Sequence, residues 1–140
     1  MPPDDPNRAG IKDPHSNSPF YKRGDFEIHA TQVPSDCFGV FDDIDHNIGI
    51  AGRREAMCCL LEYYYQHPQK VIELASDEDL SGESTTFRVR NVHGRYRKLL
   101  YDLNVELGGV SDSESIAALC RYYENKPRKV LNHTQRLRYK

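Results

Sequence analysis

Apolar and polar residues alternate in two short stretches of this chain, and each stretch is followed by two runs with a helical rhythm. In residues 26–31, Phe26, Ile28 and Ala30 fall on one side and Glu27, His29 and Thr31 on the other. In residues 86–90, Phe87 and Val89 oppose Thr86, Arg88 and Arg90. A period of two predicts a strand with one buried face. Val40, Phe41, Ile44 and Ile48 then form one helical stripe, and Leu99, Leu100, Leu103 and Leu107 form its partner. Met57, Leu60, Leu61 and Tyr64, like Ile116, Leu119, Cys120 and Tyr123, predict a second helix in each half. Gly49 and Gly108-Gly109 stand between the helices and supply the left-handed backbone that ends the first. Ser111 and Glu114 have the spacing of a capping box; in the first half Gly52 takes the cap position and Glu55 the back-reaching role. Pro68 and Pro127 are expected to stop the second helices, since neither can donate the next backbone hydrogen bond.

These parallels are one repeat. A shift of 59 places aligns residues 26–71 with 85–130 without a gap, and ten of the 46 pairs are identical, among them Tyr63/Tyr122, Tyr64/Tyr123, Pro68/Pro127 and Val71/Val130. Average composition would give roughly three. The apolar positions coincide even where the residues differ, so the chain is an internal duplication. The expected organisation is a disordered tail at 1–24 with five prolines, a first unit at 25–74, a linker at 75–84, a second unit at 85–130 and a basic tail at 131–140.

Composition narrows the class. The 140 residues are 38% hydrophobic and 29% charged, with no Trp and no apolar run long enough to span a membrane. The N-terminal residues lack the apolar stretch of a signal peptide, so a cytoplasmic protein is expected. Residues 1–83 carry 7 Lys/Arg against 16 Asp/Glu, and residues 84–140 carry 12 against 5. A basic half within an acidic chain fits either a polyanion partner or a solvated face. Cys37, Cys58, Cys59 and Cys120 show no paired spacing and read as reduced core fillers; with His29 or His46 they match no metal pattern, so no metal or cofactor is expected. No nucleophile–base set, phosphate loop or paired carboxylates can be argued, and an enzyme is not expected.

Strand, helix, glycine turn and capped helix resemble the ribbon-helix-helix family, to which the Arc and MetJ repressors belong. The match is carried by residues 109–123, GVSDSESIAALCRYY, which look like that family's turn-and-helix signature; residues 50–64 of the first unit lack both serines. Two units in one chain look like the tandem TraY-type proteins of conjugative plasmids. The resemblance implies a mainly α fold with a short two-stranded antiparallel β-ribbon, the two tandem units forming an intrachain pseudo-dimer; pairing between chains is the alternative. It also implies a sequence-specific binder of double-stranded DNA whose ribbon enters the major groove. On this reading Glu27, His29, Thr31, Thr86, Arg88 and Arg90 face the bases, and Arg88 and Arg90 can each donate two hydrogen bonds to guanine. The starts of the second helices, Gly52, Arg53 and Arg54 in one unit and Ser111, Asp112 and Ser113 in the other, would clamp phosphates, with the Asp112 side chain turned away. Arg136, Arg138 and Lys140 either follow the DNA backbone or form a loose end. The resemblance allows two roles, transcriptional repressor or relaxosome accessory protein. Further copies on DNA, a relaxase or another protein are the additional partners. The rival reading is a protein-interaction adaptor or antitoxin using the acidic Asp42, Asp43 and Asp45 and the band Tyr63, Tyr64 and Tyr65.

Overall fold

The two alternating stretches pair with each other. In the computed structural model, which describes residues 23–49, 52–74 and 83–138, β1 (Arg23–Pro34) and β2 (Ser84–Val92) form one two-stranded antiparallel sheet. The helices are α1 (Cys37–Ile48), α2 (Arg53–Gln66) and α3 (Pro68–Leu74) after β1, and α4 (Gly94–Glu106), α5 (Asp112–Asn125) and α6 (Pro127–Arg138) after β2. The described residues are thus mainly helical, with a small antiparallel sheet. Residues 1–22 of the expected tail, 75–82 of the linker and Lys140 lie outside the described residues.

Register follows the repeat. Ile28 opposes Val89, His29 opposes Arg88 and Ala30 opposes Phe87. Because Arg88 is the counterpart of His29 under the 59-residue shift, the pairing is symmetric about that central pair. Ile28, Ala30 and Phe87 are buried and Val89 half-buried, as the alternation predicts. Phe26 departs from it and is 52% exposed. The register slips between Phe26 and Ile28, and such an irregularity breaks the two-residue alternation, so the ring leaves the buried face and lies over Gly94.

Beneath the sheet, one hydrophobic cluster takes residues from both halves. Either half alone would be too small to enclose such a core. The stripe of α1 is buried through Val40, Phe41, Ile44 and Ile48, and Phe41 reaches across to Phe87 with ring centroids 4.9 Å apart. Every residue of α2 from Arg54 to Tyr64 is buried, which puts this helix at the centre rather than at the surface. Packing crosses between halves: α1 lies against α2 and α5, and α4 against α5 and α2. Gly49, Gly108 and Gly109 take positive φ where the first helices end. The capping box of Ser111 and Glu114 is formed. Its counterpart differs, because the Gly52 N–H donates to Asp45 Oδ2 at 3.2 Å while Glu55 pairs with Arg54.

The prolines do more than stop a helix. His67 and Lys126 break α2 and α5 with nearly the same backbone angles, φ −136° with ψ 58° and 56°. Pro68 and Pro127 then open α3 and α6, as suits the first turn, where no N–H is required. The sequence-based picture of two helices per half is therefore short by one helix. Each third helix crosses over, α3 onto α5 and α6 onto α2, anchored by the equivalent Val71 and Val130. Residues 131–138 belong to α6 rather than to a loose end.

Polar contacts between equivalent positions also tie the halves. Tyr63 and Tyr122, equivalent residues, bring their buried hydroxyls to 2.6 Å. The carboxylate of Glu62, 2% exposed, accepts two hydrogen bonds from Arg95 at 2.8 Å and one from the Tyr96 hydroxyl at 2.7 Å. In the equivalent place Arg121 donates to Asp36 at 3.1 Å. Arg121 is the counterpart of Glu62 and Asp36 that of Arg95, so the same ion pair occurs twice with its signs exchanged.

Candidate nucleic-acid interface

The outward side of the ribbon carries the six side chains expected there. Glu27, His29, Thr31, Thr86, Arg88 and Arg90 are all exposed. His29 and Arg88 stand at the centre, with Glu27 and Arg90 toward one end and Thr31 and Thr86 toward the other. Buried Ile28, Ala30 and Phe87 fix the opposite side to the core, so these six cannot rotate inward without a register change. Glu27 accepts a hydrogen bond from Arg88 Nε. That bond, with the nearby charge of Arg90, holds the Glu27 carboxyl below the usual carboxylate range. Arg88, one of the two arginines among these six side chains, is thus partly neutralised on its own surface.

Support for the ribbon comes from α5. Ser113 is buried and its hydroxyl accepts the Gln32 N–H of β1 at 3.2 Å, so this residue holds a strand rather than facing solvent. The Asp112 carboxylate accepts from Arg97 at 3.2 Å and from Asn104 at 2.7 Å. Ser111 is exposed but committed to the cap, its hydroxyl accepting the Glu114 N–H at 3.2 Å. At the start of α2, Gly52 and Arg53 are exposed, and the Arg53 guanidinium lies 4.6 Å from the Phe38 ring centroid. Arg54 is buried and paired with Glu55, which withdraws it from the surface. The two helix starts are therefore unequal: one presents Arg53, the other a completed cap.

Asp45 is a feature that spacing did not reveal. Its carboxylate reaches the Gly52 N–H, occupying the place an incoming anion would take. Burial pushes its pKa up to about 6 against the opposing Gly52 hydrogen bond, and the charges of Glu55 and Asp42 push the same way. The tandem tyrosines also divide: Tyr63 and Tyr64 are buried and Tyr65 is 51% exposed. Tyr123 donates to Asp43, which takes that residue out of a freely solvated acidic face. All four cysteines are free and buried, and burial pushes the thiols of Cys58, Cys59 and Cys120 up. No helix among the described residues is long and apolar enough to cross a membrane. Compared with known proteins, the chain matches no family model, no curated protein and no solved structure.

Proposed function

We propose that this chain is a sequence-specific double-stranded DNA-binding protein that lays its ribbon in the major groove, its halves forming one intrachain ribbon-helix-helix pseudo-dimer. The observation that carries the reading is the antiparallel pairing centred on His29 and Arg88, with six exposed side chains on the face away from the core. A two-stranded ribbon fits the major groove, about 12 Å wide, where each base pair presents a distinct set of donors and acceptors. Arg90 and Arg88 donate to guanine, Thr31 and Thr86 offer a hydroxyl and a methyl, and His29 donates or accepts. The two strands differ at every outward position, so the preferred core site is not palindromic. The Arg53 side chain contributes a phosphate contact on one side, while the α5 start positions β1 through Ser113. The protein acts as a transcriptional repressor or as an accessory protein at a conjugative transfer origin, roles separated by whether the site lies at a promoter or a nick site.

Selection from a random duplex library, followed by mobility shift over a salt series, tests this. A non-palindromic site is expected, with Arg88→Ala and Arg90→Ala each losing roughly 1–3 kcal/mol of discrimination at one guanine. Absence of retardation at low salt, or retention of full selectivity by both variants, would reject it.

A further inference from the structure

The duplication allows each surface position to be compared with its equivalent, and one place stands out. Along α4, Tyr101 is 60% and Val105 54% exposed; along α1 the equivalent positions are Asp42 and His46. Tyr65 is exposed on α2, whereas its equivalent on α5 is Glu124. These residues surround a groove of about 490 Å³ between α4 and the α2–α3 junction, floored by Tyr64 and Leu99 and edged by Asp102 and Glu106. The same scaffold therefore exposes Tyr65, Tyr101 and Val105 around this groove, where the equivalent positions on α5 and α1 carry Glu124, Asp42 and His46. A fold that can be solvated with Asp and His at these positions does not require Tyr and Val there. Exposed apolar groups gathered in one depression mark a binding surface.

The charge around the groove identifies what would fill it. Asp102 and Glu106 line it, and no cation does among the described residues. Lys98 lies 3.1 Å from Asp102, an exposed i,i+4 pair that contributes little and can be exchanged. Burial pushes the Tyr64 hydroxyl pKa up to about 12, and the charges of Glu106 and Asp102 add to it, so both carboxylates act on the groove floor. One tyrosine face is already in contact with a guanidinium, since Arg95 lies 4.6 Å from the Tyr65 ring centroid. Aromatic faces beside carboxylates favour a cation with an apolar stem. Val105 and Glu106 lie three turns along α4 from the end of β2, roughly 17 Å at the helical rise, and their negative edge repels phosphate. We propose that this groove binds a basic-apolar segment of a partner protein, seating an aliphatic or aromatic side chain on Tyr101 and Val105 with a Lys or Arg beside Glu106. The proposal does not depend on DNA binding.

The test pans a displayed library of random 12-residue peptides on the full chain, with counter-selection on the Tyr101→Asp/Val105→His variant. That variant carries the residues found at the same places on α1, and an unchanged melting temperature establishes its fold. Enriched peptides are expected to combine Lys or Arg with large apolar residues. They should bind the parent at least tenfold more tightly than the variant, and lose at least threefold in affinity with Glu106→Gln, by fluorescence anisotropy. Recovery of no binder, of acidic or uncharged binders, or of peptides indifferent to both variants overturns the proposal. So does sedimentation showing the parent self-associating where the double variant is monomeric, which would make the occupant a second copy.

Discussion

Tyr63 and Tyr122 offer a direct measure of how the two halves cooperate. Their hydroxyls are 2.6 Å apart and buried, and each is the other's hydrogen-bond partner. Replacing one by Phe keeps the ring and strands the remaining hydroxyl without water, which costs about 1–3 kcal/mol. Replacing both removes the orphan, and an apolar pair of the same shape is close to neutral. Tyr63→Phe and Tyr122→Phe should therefore each cost about 1.5 kcal/mol, and the double variant less than either. The coupling of about 1.5–3 kcal/mol lies in the range found for residues in direct contact. Urea unfolding followed by circular dichroism resolves this, because with m near 2 kcal/mol/M each single variant shifts the midpoint by about 0.75 M. All four proteins should share one m value. Additivity within about 0.5 kcal/mol would refute the contact and with it the close approach of α2 and α5.

Glu27→Gln releases Arg88 and removes a negative charge from the ribbon, so it should tighten DNA binding at low salt; weaker binding, with lost preference at a cytosine, would show instead that Glu27 reads a base. Asp45 has a folded pKa near 6, above its ordinary 3.8, so its ionised form opposes folding and its contribution is lost as pH rises from about 4 to 6. Relative to Asp45→Asn, the parent protein should thus be more stable at pH 4 than at pH 7; a pH-independent difference in urea midpoint would contradict this. Gly24→Ala places a Cβ 2.6 Å from His93 Cα and 2.7 Å from Val92 O, backbone atoms that cannot swing aside, and should cost about 1–3 kcal/mol and several degrees of melting temperature.

Much of this fold was legible because the duplication doubled each signal. Alternation around Ile28 and Phe87 located the ribbon, and the stripes of α1 and α4 located the first helices, since burial imposes those periods. The third helices are hidden in the sequence because proline is ambiguous: it ends one helix and is equally suited to begin the next. Alternation places Phe26 on the wrong face because a register slip leaves no trace in the sequence pattern. At the helix starts, arginines 53 and 54 look alike in sequence, and the ion pair with Glu55 that hides one of them depends on α2 being central. Ser113 was likewise indistinguishable from a solvent-facing serine until β1 was seen beside it. Long-range partners are set by how helices cross, which local periodicity does not encode.

The sign exchange between Glu62–Arg95 and Asp36–Arg121 has a consequence for assembly. Were two first halves to associate in the same manner, Glu62 would confront Asp36; two second halves would set Arg121 against Arg95. Like charges so placed cost several kcal/mol. Each half is thus repelled by its own kind and attracted by its sibling, and fragments severed between α3 and β2 and then mixed would reunite only as unlike mates.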